Sequence, residues 1–200
     1  MKRYQCLQVL APLITQELVI VSLGGTGLEW HAIKPRDANL YLIAMGCNTS
    51  VGLGLALALP HRRVVVLETD GSLLLNLGAL ATVAVQRPPN LAIFVFDNEG
   101  YERVGGLPGV TGRGVDLAAI AQGAGIANSR TVTNREDFAV AAREAMSKRE
   151  LSVTVTKVEM GIEPVPGRAS DGLEDKYRFV RHIEELEGRP ILSGYRYKLD

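Results

Sequence analysis

Apolar residues fall along this chain in two alternating patterns. Short continuous runs at 18–23 (LVIVSL), 40–43, 64–68, 91–96, 126–132 and 151–158 predict strands buried on both faces. Between them, apolar positions recur every three or four residues at 4–14, 45–59, 73–86, 116–124 and 135–148, which predicts amphipathic helices. Pro12 predicts a kink in the first. Asn134 is placed to cap the helix 135–148, and Asn48, Thr49 or Ser50 to cap the helix within 45–59. Gly24, Gly25, Thr26 and Gly27 read as a tight turn after the first strand, and 105–114 as a glycine-rich surface loop. Regular β–α alternation predicts an α/β fold: a doubly wound, mainly parallel sheet with helices on both faces. The pattern changes after residue 158. A Pro/Gly-rich linker leads to an amphipathic helix at 173–186, and a tail holding Tyr195 and Tyr197 reads as an extended arm. We therefore expect a domain at 1–158 and a segment at 159–200 packed on it or on a partner.

The stretch 64–101 concentrates the candidate chemistry. It reads as strand, helix and strand, with Thr69, Asp70, Gly71 and Ser72 after one strand and Asp97, Asn98, Glu99, Gly100 and Tyr101 after the other. A parallel crossover brings both strand ends to one edge of the sheet, where ligands of open α/β sheets bind. Asp70 and Asn98 then become neighbours. With loop carbonyls they form a hard oxygen donor set of the kind Mg²⁺ prefers. The helix opening at Gly71 and Ser72 presents free N–H groups to an anion. On spacing alone, a plain helix cap and turn residue explain Asp70 and Asn98 equally well.

Composition narrows the function classes. The 200 residues are 46% hydrophobic and 22% charged, with net charge zero. No basic stripe points to nucleic acid. Cys6 and Cys47 are too few for a disulfide framework, and His31, His61 and His182 are scattered, which argues against zinc. The glycines of 46–54 lack the G-x-G-x-x-G spacing of a dinucleotide site. Gln5, Gln8, Gln16 and Glu17 interrupt a signal-peptide pattern, and no apolar run approaches the roughly 20 residues of a membrane span. The chain reads as cytoplasmic, with no membrane partner.

The stretch 69–101 also resembles the fingerprint of thiamine-diphosphate-dependent enzymes, which opens on Gly-Asp-Gly and closes on Asn-Asn. Thr69 stands here for the first Gly and Asp97 for the first Asn. The resemblance covers about 18–158 and identifies the domain that binds the cofactor's diphosphate. It implies Mg²⁺ held by Asp70, the Asn98 side chain and the Gly100 carbonyl. It implies diphosphate contacts from Gly71, Ser72 and Thr26, with Tyr101 closing the cofactor-binding motif. Met45 would support a bent cofactor, and the Ile43 carbonyl would meet its aminopyrimidine. Arg103 and Arg113, in the covering loop, are candidates to face an acidic substrate, with solvated charge as the plainer reading.

The wording of 51–60 and 114–118 is similar to the small β subunit of sulfopyruvate decarboxylase and to the C-terminal part of phosphonopyruvate decarboxylase. That implies a lyase, a decarboxylase acting on a small 2-oxo acid. A carboligase of the acetolactate synthase kind, a 2-oxo acid oxidoreductase subunit and a non-catalytic cofactor-binding subunit are the alternatives. In the family an activating glutamate lies on a second, pyrimidine-binding domain, for which this chain has no room. The resemblance thus implies a hetero-oligomer with an α-like partner chain. The apolar helix surface within 76–85 and the amphipathic tail are candidate interfaces.

Overall fold

The computed structural model describes residues 1–169 and 171–192. Its main sheet has six strands: β1 (Leu18–Val21), β2 (Asn39–Tyr41), β3 (Val64–Thr69), β4 (Leu91–Asp97), β7 (Ser129–Val132) and β8 (Ser152–Lys157). Their spatial order is β2, β1, β3, β4, β8, β7, and all five pairings are parallel. A hairpin of β5 (Gly100–Tyr101) and β6 (Leu107–Pro108) stands apart from it, inside the glycine-rich segment that reads as a loop in the sequence.

Successive strand residues point to opposite faces, and each face is covered. Val19, Val21, Val65, Leu67, Phe94 and Phe96 pack under α1 (Arg3–Leu10), α2 (Gly25–Ile33) and α7 (Arg135–Ser147). Ile20, Val64, Val66, Ile93, Val95 and Val155 pack under α3 (Asn48–Ala58), α4 (Asp70–Leu74), α5 (Gly78–Gln86), α6 (Leu117–Ala124) and α8 (Gly172–Glu187). Burial on both faces is why these strands read as continuous apolar runs. Asn134 caps α7 by accepting from Asp137 N at 2.9 Å. Helix α8 starts on a side-chain cap from Asp171 and buries Phe179 and Ile183 in the core. Tyr195 and Tyr197 lie outside the described residues.

Four local expectations need correction. The residues after β1 open a helix, α2, rather than a tight turn alone; Gly24 has φ +82° and the helix starts at Gly25. The helix expected at 73–86 is two helices, α4 and α5. Asn76 holds the break by donating to the Gly46 carbonyl at 3.0 Å, and α5 restarts with Ala79 N donating to Asn76 O at 3.1 Å. Pro12 does not kink a continuous helix but sits in a 3₁₀ turn, Ala11–Leu13, that ends α1. Helix α3 is preceded by Cys47 and has no side-chain cap. Asn48 and Thr49 turn inward to Glu68 instead.

The chain runs from β1 through α2 to β2 on one side of it, then from β2 through α3 back across to β3 on the other side of β1. Strand ends diverge at such a switch point and leave a crevice at the carboxyl edge. Asp70, Gly71, Thr26 and Met45 all stand at this edge.

Candidate active site

A cleft of about 220 Å³ opens at that switch point. The turn after β1 contributes Gly24, Gly25 and Thr26, the end of β3 contributes Asp70 and Gly71, and the end of β4 contributes Asn98, Gly100 and Tyr101. Met45, from the turn after β2, lines the same cleft. Ser72 is completely buried beside it, and Ile43 lies 64% exposed in an adjoining cavity. The sequence-predicted residues therefore gather at one edge. Arg103 reaches the cleft, whereas Arg113 lies in a 3₁₀ turn, Thr111–Arg113, and lines neither cavity.

The turn after β1 leaves a buried polar group unpaired. Thr26 is 0% exposed, yet its hydroxyl has no hydrogen-bond partner in the protein. A buried hydroxyl left unpaired is unfavourable unless a ligand or water meets it. The free N–H groups at the start of α2 point the same way. A side chain at Gly25 would drive into the Arg3 guanidinium and Ile162. Arg3 is itself buried and paired with Glu29 at 2.8 Å and Glu102 at 3.4 Å, so it ties this turn to the β5–β6 hairpin. Sequence reading missed Arg3, because a basic residue near the start of a helix carries no local signal.

Met45 is held from below. Gly46 adopts φ +77°, a conformation that favours glycine. Its N–H donates to Ser72 Oγ at 3.0 Å, and its carbonyl accepts from Asn76 Nδ2 at 3.0 Å. Asn48 Nδ2 also donates to Ser72 Oγ, at 3.3 Å. The Ser72 hydroxyl accepts both of these bonds and turns its own proton toward the Glu68 carboxylate, which leaves its backbone N–H as the plainer anion contact. A Cβ placed at Gly71 would lie 3.7 Å from Met45 Cε and 3.8 Å from Tyr101 Cε1, so these two side chains flank Gly71. Glu68 completes the support. It accepts from Asn48 Nδ2 at 2.7 Å and Thr49 Oγ1 at 3.1 Å, and burial raises its pKa.

Acidic groups crowd the other end of the cleft. Thr111 Oγ1 donates to Asp97 Oδ1 at 2.8 Å and lies 3.3 Å from Asp70 Oδ2, bridging the two carboxyl groups. Lys157 Nζ binds Asp97 Oδ2 at 2.8 Å and Glu99 Oε1 at 2.8 Å. Asp97 is thus consumed by internal partners. Asp70 is not: burial, with the Asp97 charge adding to it, pushes its carboxyl up to about 7. Such a carboxyl is relieved by a nearby cation. Asn98 Oδ1 accepts from Gly100 N at 3.2 Å, a turn that holds the amide oxygen near Gly100. Glu99 takes φ +60° within the same turn.

Among the described residues no group of three or more His, Cys, Asp or Glu side chains is arranged to hold a metal ion. The donors here are of another kind: one carboxylate, one amide oxygen and one backbone carbonyl, with open space for the oxygens of a ligand. They fit a hard divalent cation shared with a phosphate. The unpartnered Thr26 hydroxyl fits that phosphate. Thr111 and Lys157 also escaped the sequence reading. Lys157 meets Asp97 only because β8 pairs with β4 in the register Asp97 to Lys157, and the order of strands is not written locally. Among the described residues no helix is long and apolar enough to cross a membrane.

Residues 28–156 match the family described as thiamine pyrophosphate enzyme, C-terminal TPP binding domain. The chain is 31% identical to the sulfopyruvate decarboxylase β subunit of Methanococcus maripaludis over 92% of its own length and 98% of that protein. The same subunit from Methanocaldococcus jannaschii is 31% identical, over 84% of this chain and 89% of the relative. Phosphonopyruvate decarboxylase of Streptomyces viridochromogenes is 36% identical over 70% of this chain but only 35% of that longer protein. The fold also matches benzoylformate decarboxylase from Polynucleobacter necessarius, with a TM-score of 0.68 and 22% identity over 82% of this chain and 34% of that one. The matched span contains the ends of β3 and β4 that carry Asp70 and Asn98, and so the chain belongs to the thiamine pyrophosphate enzyme family and carries its C-terminal TPP-binding domain.

Proposed function

We infer that this chain is the diphosphate-binding subunit of a thiamine-diphosphate- and Mg²⁺-dependent decarboxylase. Its substrate is a small anionic 2-oxo acid of the sulfopyruvate or phosphonopyruvate kind. The observation that carries the reading is the convergence of Asp70, Asn98, Gly100 and the unpartnered Thr26 hydroxyl on one cleft, in a chain spanning 98% of a β subunit relative. Asp70, Asn98 Oδ1 and the Gly100 carbonyl hold the metal. Thr26 and the N–H groups of Gly71 and Ser72 meet the phosphates. Met45, fixed through Gly46, would give the cofactor rings an apolar support, and the Ile43 carbonyl would meet the pyrimidine.

When bound, thiamine diphosphate supplies the carbon nucleophile for the keto carbon and the electron sink left as CO₂ departs. This chain's residues anchor and orient it. Among the described residues no carboxylate lines the cavity at Ile43 to act on the pyrimidine ring, and Glu102, which lines the cleft, is engaged with Arg3 and Gly161 N. The reading puts the activating glutamate on a pyrimidine-binding partner subunit, in a cytoplasmic hetero-oligomer; the β-subunit names of the relatives support the partner. Calorimetry with thiamine diphosphate and Mg²⁺, on the chain with its partner, tests the reading. Wild type should bind only with the metal, and Asp70→Ala should lose at least about a hundredfold in affinity, as expected for a missing charged ligand. Equal affinity of the two proteins would refute the assigned metal site, and no binding by wild type would refute the function.

A further inference from the structure

A second cavity, of about 160 Å³, opens beside the cofactor cleft. The two share Leu23, Gly24 and Arg103, so a small molecule reacting in the cleft can extend one end into its neighbour. The wall of this second cavity joins groups from distant parts of the chain: Ser22 from the end of β1, Tyr41 from β2, Arg103 from the hairpin and Arg168 from the segment before α8. Ser22 is 1% exposed and its hydroxyl has no partner. The Arg168 guanidinium lies 3.9 Å from the centre of the Tyr41 ring and binds Asp175 Oδ1 through Nη2. An arginine has five N–H donors, and among the described residues the rest of this fork has no protein acceptor.

Asp175 does not neutralise the wall. Its Oδ1 also accepts from Arg178 at 3.2 Å, and Arg178 reaches a second carboxylate, Asp37, only at 3.8 Å, so Asp175 is shared between two guanidiniums. Arg103 is exposed, its stem lies over Gly24, and it forms no ion pair among the described residues. An excess of guanidinium over carboxylate suits a compact tetrahedral oxyanion, because the arginine fork matches two of its oxygens. A water molecule's share of the liquid is about 30 Å³, so a cavity of about 160 Å³ accepts a head group of a few heavy atoms. We propose that this cavity holds the distal sulfonate or phosphonate of the 2-oxo acid, with Arg168 and Arg103 setting the preference for a second anion. The proposal rests on the decarboxylase reading above and names the groups that select its substrate.

The test uses the chain with its partner, saturated with thiamine diphosphate and Mg²⁺. Wild type, Arg168→Gln and Arg103→Gln are assayed on sulfopyruvate, phosphonopyruvate and pyruvate. In each variant the ratio of kcat/KM for the preferred doubly anionic acid to that for pyruvate should fall roughly ten- to a hundredfold, the effect of one lost charge-assisted contact. Unchanged ratios in both variants overturn the proposal. Arg103→Gln breaks no ion pair among the described residues, so it carries the test if Arg168→Gln fails to fold. Calorimetry in parallel follows sulfoacetate, phosphonoacetate and acetate, which lack the keto carbon. Wild type should take up one of the first two and not acetate, and the variants should lose that binding; the stronger ligand identifies the head group. Binding equal in all proteins, or absent from wild type, overturns the subsite. Arginine-dependent uptake without turnover of any acid refutes the decarboxylase reading and leaves the subsite standing.

Discussion

Asp70 shows how one residue's environment states its task. A free aspartate titrates near 4, whereas burial and the Asp97 charge push this one up to about 7. Between those values the folded chain binds a proton that the unfolded chain has released. The stability from this group is therefore present at low pH and is lost as pH rises through 7. Metal-free protein should melt at a lower temperature at pH 8 than at pH 6, and Asp70→Asn should flatten that slope. Thermal scans in EDTA check both, and a slope unaltered by the substitution would show that Asp70 does not carry the proton. Adding Mg²⁺ at pH 8 should raise the melting temperature of wild type more than that of the variant. At this scale the sequence was partly legible. Asp70, Asn98 and Met45 stand in a recognisable motif, but the meaning of Asp97 lay in Thr111 and Lys157, which reach it across 14 and 60 positions. The roles of Arg3 and Glu68 are likewise fixed by partners far along the chain.

At the scale of elements, the strands were readable because full burial leaves an unbroken apolar run. Helix α2 was not, because its first turn is Gly-Thr-Gly and glycine signals a turn as readily as a close approach. The break between α4 and α5 is equally silent, since Leu73, Leu77 and Leu80 keep helical spacing across it. Helix α3 separates the two meanings of glycine within three residues. A Cβ at Gly52 would stand 2.3 Å from Val66 Cγ2, whereas one at Gly54 would meet nothing within 4 Å. Val66 is fully buried and β-branched, so it has little freedom to yield. Gly52→Ala should destabilise the chain by about 1–2 kcal/mol, overpacking outweighing the gain in helix propensity. Gly54→Ala should stabilise it by roughly 0.5–1 kcal/mol. Denaturant melts of both variants decide this, and equal effects would mean that α3 does not sit on β3 as closely as described.

For the whole molecule, the surface around the cleft is unusual in what it leaves uncovered. Ile43 is 64% exposed and Leu75 67%, and Met45 and Val104 are exposed on the cleft itself. Leu75 borders the turn that carries Met45, since a Cβ at Gly46 would lie 3.3 Å from Leu75 Cβ. Single exposed apolar residues need no explanation, but several around one functional cleft mark a surface that another body covers. Net charge zero gives the chain no long-range steering toward a charged partner, so these contacts must supply much of the recognition. The proposed pyrimidine-binding subunit fits that need, because it must reach the same cleft to act on the cofactor ring. Leu75→Arg should then weaken association with that subunit by about tenfold or more, the loss of one anchoring side chain. Its exposure means that the isolated chain should keep its stability within roughly 0.5 kcal/mol. Sedimentation of the mixed subunits, beside a thermal melt of the chain alone, separates the two effects. Unchanged association would move the interface away from α4 and toward the surface of α8, where Leu173 and Tyr177 are also exposed.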